Sequence, residues 1–314
     1  MKALAALLGM LRLPNLVIVF LSQWMPYYMV LRPAILRGGC IPALEGRTFG
    51  LLCANTVLTT LAGYVINDIF DAPIDAQNKP ERLVVGRYLS RSAAVLLYVG
   101  LLLIVLTLAV YLDLRVFPNQ KFAMTGLFAG VSAMLFLYSA RLKCTPFLGN
   151  LVVAGLCAVV PLVVWFPELR PLHLLGFQDV ALLQSTMLTF WNFVIFAFVA
   201  TLFREMVKDI EDHAGDAACH CHTLPVLKGP RIARRWAAVV GVLLIGNLAL
   251  LIFYWLQTAV PAWKIAAGIL CLLLPAIFAS LKTARGQTKT DFSQASLAIK
   301  LLMLAGILLL SMSD

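Results

Sequence analysis

Three aspartates occur twice at one spacing. Asp68, Asp71 and Asp75 lie in the run Asn67-Asp68-Ile69-Phe70-Asp71-Ala72-Pro73-Ile74-Asp75, and Asp209, Asp212 and Asp216 lie in Lys208-Asp209-Ile210-Glu211-Asp212-His213-Ala214-Gly215-Asp216. Both read D-x-x-D-x-x-x-D, and each begins where a long apolar run ends. Steps of three and then four residues put the carboxylates on one helix face. Three neighbouring anions repel, and at a helix carboxyl end they also oppose the macrodipole. Cations would relieve both costs. Oxygen-only ligands suit hard ions, Mg²⁺ above all, and Mg²⁺ commonly bridges carboxylates to substrate phosphates. Two such faces opposite each other would make a diphosphate site at a membrane surface. Two solvated acidic helix ends would leave the repeated spacing and the basic neighbours unexplained.

Such a site implies a reaction. Mg²⁺ with nearby Lys or Arg would neutralise a diphosphate, and an allylic diphosphate would then depart to leave a delocalised carbocation. An apolar bundle would exclude the water that quenches the cation and would hold a long isoprenoid tail.

The elements that must position these acids are membrane helices. Of 314 residues, 61% are hydrophobic and 13% are charged, where a soluble domain carries about 25% charged residues. Apolar runs near 11–31, 48–66, 92–112, 122–140, 147–166, 180–203, 236–256, 262–281 and 295–312 are each long enough to span as a helix. The first contains Arg12 and Asn15, and the last contains Lys300. The chain is read as a single transmembrane domain, 1–314. Its fold class is all-α, a polytopic bundle of about nine spans with both acid motifs on cytoplasmic loops. The apolar amino-terminal run is read as a retained span, because no clear small-x-small cleavage site follows it.

The net charge of +10 invites a nucleic-acid reading, but its distribution argues against one. Most Lys and Arg fall at the amino terminus and in the loops after spans 2, 4, 6 and 8. The positive-inside rule makes those loops cytoplasmic, and both motifs lie among them. The motifs follow spans 2 and 6, four helices apart, which suggests a duplicated layout. The seven cysteines are Cys40, Cys53, Cys144, Cys157, Cys219, Cys221 and Cys271. They are read mainly as small buried hydrophobes, with no disulfide framework visible. Cys219-His220-Cys221-His222 is spaced too tightly for an ordinary structural zinc site.

The paired motifs, N-D-x-x-D-x-x-x-D and D-x-x-D-x-x-x-D after membrane helices, resemble the UbiA superfamily of intramembrane prenyltransferases. Asn67 through Arg82, with Arg204-Glu205-Met206-Val207-Lys208-Asp209-Ile210-Glu211-Asp212, is most similar to the digeranylgeranylglyceryl phosphate synthase branch. The resemblance implies that Asn67, Asp68, Asp71, Asp75, Asp209, Asp212 and Asp216 are catalytic, with the six acids holding Mg²⁺, two ions in all. It places Arg82 on the diphosphate. Arg12 and Asn15 match an R-x-x-N pattern opening helix 1. Tyr138-Ser139-Ala140-Arg141-Leu142-Lys143 resembles a tyrosine–lysine segment after helix 4. Its spacing is one residue longer than usual, so either Arg141 or Lys143 would contact diphosphate. Arg204 and Lys208 either contact substrate or pair with Asp209 or Asp212. Another departure is Arg82-Leu83-Val84-Val85-Gly86, where relatives often read R-P-I-P-S-G.

The implied activity is Mg²⁺-dependent transfer of a polyprenyl group, first of all geranylgeranyl, to a lipid-soluble acceptor, first of all geranylgeranylglyceryl phosphate. An aromatic quinone or chlorophyll-type acceptor and a terpene cyclase are the enzyme alternatives. A divalent-cation transporter is the non-enzyme alternative, but it should carry acids near the bilayer midplane. The expected partners are an isoprenyl diphosphate, the acceptor and the bilayer of the cytoplasmic membrane, with neither nucleic acid nor a protein partner. Gln184 and Asn192 in span 6 suit interhelical hydrogen bonds. His213 suits the surface, because a hydroxyl acceptor can give its proton to the diphosphate.

Overall fold

The computed structural model describes residues 9–78, 83–116, 122–258 and 260–310. Its α-helices are α1 (Leu13–Pro26), α2 (Arg32–Arg37), α3 (Gly46–Asn78), α4 (Arg91–Val116), α5 (Ala123–Ala140), α6 (Leu148–Trp165), α7 (Leu169–Gln178), α8 (Val180–Ala218), α9 (Leu224–Lys228), α10 (Pro230–Gln257), α11 (Ala262–Gly268), α12 (Leu274–Arg285) and α13 (Lys289–Leu310). Among the described residues, eight helical stretches are long and apolar enough to cross a membrane. They are α3, α4, α5, α6, α8, α10, the run from α11 through α12, and α13. The protein is an all-helical, multi-pass membrane protein.

The expected first span is helical but is not one α-helix. A π-helical turn, Tyr27–Leu31, separates α1 from α2. Pro26 and Pro33 sit at its two ends. Each proline lacks the N–H that an α-helix would use, and the wider turn takes up the break. The motifs also differ from their expected setting. Both belong to the last turns of long helices, α3 of 33 residues and α8 of 39, and not to loops. Polar sequence at a helix end marks the bilayer boundary, and the backbone continues helical beyond it.

The chain forms two compact units. One comprises Met1–Trp24, Pro42–Lys143 and Val163–Arg170, and the other Met25–Ile41, Cys144–Leu162 and Pro171–Asp314. Each carries one acid motif on its longest helix.

In the first unit α3 packs on α4 and α5. Ala62, Val65, Ile66 and Ile69 form one buried stripe of α3, in a cluster with Ala94 and Leu101 of α4. Lipid is as apolar as these side chains, so close packing and hydrogen bonds must hold the helices together. Gly63 admits the Leu135 side chain of α5, which would lie 3.1 Å from a Cβ there. Gln23 Nε2 donates to Thr56 Oγ1 at 2.9 Å, joining α1 to α3. Asp113, near the end of α4, accepts from the N–H groups of Met124 and Thr125 at 2.7 and 3.0 Å and from the Thr125 hydroxyl at 2.6 Å. It thereby satisfies donors that the first turn of α5 leaves unpaired. The fully buried Glu168 accepts from the N–H groups of Ala43 and Leu44 at 2.9 and 2.8 Å.

In the second unit α8 packs on α10 and α13, and α12 packs on the same two helices. Small residues mark the crossings. Gly241 of α10 faces Ser280 of α12 and Phe203 of α8, and Gly306 of α13 faces the Phe196 ring of α8. Large apolar side chains on the outside, such as Leu96, Leu103, Leu250 and Leu270, face the lipid.

Cys144 and Cys221 form a disulfide, with Cα atoms 4.6 Å apart. This corrects the expectation of no disulfide. The partners are 77 residues apart, and such a connectivity cannot be read from cysteine positions alone. Cys221 is therefore not a thiolate ligand. Cys40 and Cys53 are buried thiols, and Cys271 is exposed.

Candidate active site

The first acid cluster sits where α3 leaves the apolar layer. Asp68, Asp71 and Asp75 share a face, and each is half-buried. Pro73 lies between the last two and withholds an N–H from the carbonyl of Ile69. Arg12 Nη2 donates to Asp68 Oδ1 at 2.8 Å, and the guanidinium carbon lies 4.8 Å from the centre of the Tyr64 ring. Arg12 takes a left-handed backbone conformation, φ +47°, immediately before α1. An arginine adopts that conformation at a cost, and here the residue that bears it is the one paired with the motif. Asn67 Nδ2 donates to Asp71 Oδ2 at 2.7 Å, one helical turn apart. Lys143, just after α5, also donates to Asp71 Oδ2.

Of Arg141 and Lys143, Arg141 is exposed and Lys143 reaches the motif. The ending of α5 accounts for this contact. Helix geometry stops at Ala140, and a 3₁₀ turn over Leu142–Cys144 swings the chain so that Lys143 is presented. Tyr138 is half-buried on the last turn of α5, and Asn15 is half-buried on the first turn of α1. Arg82 lies outside the described residues.

The second cluster sits on the last turns of α8. Asn150 Nδ2, from the first turn of α6, donates to Asp209 Oδ2 at 2.8 Å. Asn150 is buried. Asp212 is half-buried one turn further on. Asp216 Oδ2 accepts from the Thr223 hydroxyl at 3.2 Å, and its carbonyl accepts from the Cys221 N–H at 2.9 Å. The disulfide thus holds the segment that folds back on the third acid of the motif. Arg204 pairs with its neighbour Glu205 at 2.7 Å, not with Asp209 or Asp212, and Lys208 is exposed. His213 is turned to the carbonyl of Ile210 at 2.9 Å.

Asn150 and Thr223 were not singled out in the sequence. Asn150 carried one readable signal, a lone amide opening an otherwise apolar run. Thr223 carried none, since it meets Asp216 only through the turn after α8.

The donor set of both clusters is carboxylate and amide oxygen, which suits a hard divalent ion. Among the described residues, no three His, Cys, Asp or Glu side chains are gathered as a metal cage. That fits an ion held through one or two carboxylates and completed by substrate oxygens. In the Cys219–His222 tract, Cys221 is taken up by the disulfide with Cys144.

The fold is that of a multi-pass membrane protein that carries carboxylates, some paired with Arg and Lys, at the ends of its long helices. The profile of the UbiA prenyltransferase family matches residues 24–304. A digeranylgeranylglyceryl phosphate synthase of Methanothermobacter thermautotrophicus is 33% identical over 291 residues, covering 88% of this chain and 91% of that protein. A solved structure described as giving insight into digeranylgeranylglyceryl phosphate synthase in membranes superposes with a TM-score of 0.67 at 21% identity, covering 100% of this chain and 99% of the other. A UbiA homolog from Archaeoglobus fulgidus bound to GPP and Mg²⁺ superposes with a TM-score of 0.54 at 17% identity, covering 99% and 100%. The chain belongs to the UbiA prenyltransferase family, and it is a prenyltransferase.

Proposed function

We propose that this prenyltransferase moves a geranylgeranyl group from its diphosphate to the hydroxyl of geranylgeranylglyceryl phosphate, with two Mg²⁺ ions as cofactors. The observation that carries the reading is the repeated triad of carboxylates on the last turns of α3 and α8, the first already joined to Arg12 and Lys143. The Methanothermobacter relative, named for this reaction, supports the acceptor. The Archaeoglobus homolog bound to GPP and Mg²⁺ supports the donor class and the metal.

In this reading Asp68, Asp71, Asp75, Asp209, Asp212 and Asp216 hold the metal, and Asn67 and Asn150 orient Asp71 and Asp209. Bound Mg²⁺ supplies positive charge to the departing diphosphate. Arg12, Lys143 and Arg82 add fixed positive charge, with Asn15, Tyr138, Arg141, Arg204 and Lys208 as further diphosphate contacts. The allylic C–O bond to diphosphate breaks, and the acceptor hydroxyl forms a new C–O bond at the same carbon. The hydroxyl proton passes to the diphosphate, so no protein base is needed. The apolar helices keep water from the cation. The whole chain, 1–314, acts as one domain, and the ends of α3 and α8 bearing the acids face the cytoplasm.

The test is diphosphate release by purified protein with Mg²⁺ and geranylgeranyl diphosphate, with and without geranylgeranylglyceryl phosphate, following the lipid by mass. Acceptor-dependent release with a gain of one geranylgeranyl unit is expected. Turnover only with an aromatic acceptor would replace the substrate, and release without acceptor would make the protein a cyclase.

A further inference from the structure

The third acid of the second motif is fastened from outside its own helix. Beyond Ala218, where α8 ends, the chain turns back. The Cys221 N–H donates to the Asp216 carbonyl at 2.9 Å, and the hydroxyl of the buried Thr223 donates to Asp216 Oδ2 at 3.2 Å. The disulfide ties this turn to the chain ahead of α6, and beside it the His222 N–H donates to the Cys144 carbonyl at 3.1 Å. All of these groups belong to the second unit. His220, inside the turn, has φ +56°. A histidine takes that left-handed backbone at a cost, so the turn carries a strained residue between the end of α8 and the crosslink.

The two sulfurs differ in access. Cys221 is buried, and Cys144 is half-buried. Thiol–disulfide exchange starts with a thiolate on the sulfur it can reach. In the orientation proposed above, this end of α8 faces the cytoplasm, where disulfides are usually transient and redox-sensing. A bond there that holds a member of the acid cluster couples the cluster to the redox state around it.

We propose that the Cys144–Cys221 disulfide is a redox switch on the second acid cluster, opened by a dithiol reductant. The inference rests on the proposed role of Asp216 and on the proposed orientation. One thiolate of the reductant attacks Cys144 Sγ, the bond to Cys221 Sγ breaks, and Cys221 leaves as a thiolate that takes up a proton. The second sulfur of the reductant then displaces Cys144, which leaves in the same way. The reductant gives two electrons and ends as its own disulfide. Without the crosslink the strained turn relaxes, and Asp216 loses the Thr223 hydroxyl that orients it.

Full-length protein in nanodiscs is to be compared in the oxidised state and after dithiothreitol, with the bond followed by thiol alkylation and intact mass. Reduction should speed backbone hydrogen exchange in residues 216–223 about tenfold. It should also raise KM for geranylgeranyl diphosphate about tenfold, the scale of one lost hydrogen bond to a charged group. Cys144→Ser should match the reduced wild type in both measurements and ignore dithiothreitol. Exchange that is unchanged by reduction would overturn the switch, whether or not the protein turns over. So would an unchanged KM, a Cys144→Ser protein that still responds to dithiothreitol, or a wild type whose two thiols fail to pair under oxidant. An absence of diphosphate release in both states would count against the proposed substrates, and hydrogen exchange would then decide the switch alone.

Discussion

At the residue scale, the contacts of the two motifs grade their members. Asp71 accepts from Asn67 and Lys143, and Asp68 pairs with Arg12, so these two acids are already oriented. Asp71→Asn keeps shape but loses charge, and should lower kcat by about a hundredfold or more, the scale for removing one electrostatic group at a transition state. Diphosphate release checks this, with an unchanged melting temperature showing that the fold persists. Asn150→Ala strips Asp209 of its amide partner and should cost about 1–3 kcal/mol of stability or transition-state binding. A fall in turnover with wild-type KM for prenyl diphosphate would mark Asn150 as a positioning residue. An unchanged turnover would remove it from the site. The six aspartates were legible because helical spacing is written in the sequence. Lys143 was legible only as one of two cations, since the 3₁₀ turn that presents it depends on how α5 ends. Asn150 precedes its partner by 59 residues, and no local rule connects them.

At the element scale, polar side chains fasten helix ends that apolar packing cannot register. Asp113 is buried and accepts three hydrogen bonds at the start of α5. Asp113→Ala should destabilise by about 2 kcal/mol or more, since it removes a cap and leaves donors unpaired. A thermal melt in detergent should show the drop, and Asp113→Asn should recover part of it. Gly306→Leu would drive a side chain into the Phe196 ring and should cost about 1–3 kcal/mol. The later spans were legible from their apolar length. The first expected span is helical too, but its π turn was not legible, because hydropathy sees Pro26 and Pro33 only weakly while the backbone opens beside them. The motifs were assigned to loops for a related reason: charge ends an apolar run before the helix itself ends.

At the scale of the whole molecule, the charge bias and the disulfide make opposite demands. The positive-inside rule puts the basic loops in the cytoplasm, whereas disulfides persist mainly in oxidising compartments. Lysine modification by a membrane-impermeant reagent should be confined to the cytoplasmic side for Lys228, which lies in α9 after the second motif. Labelling of Lys228 from outside intact cells would reverse the proposed orientation. The disulfide was the feature least visible in the sequence, because only the fold shows which of seven cysteines meet.

That bond also changes what a cut in the chain means. Cys144 and Cys221 bracket α6, α7 and α8. A protease that nicks the turn between α7 and α8 would leave one molecule on a non-reducing gel and two fragments after reduction. A molecule nicked there would keep both acid motifs in a single covalent piece.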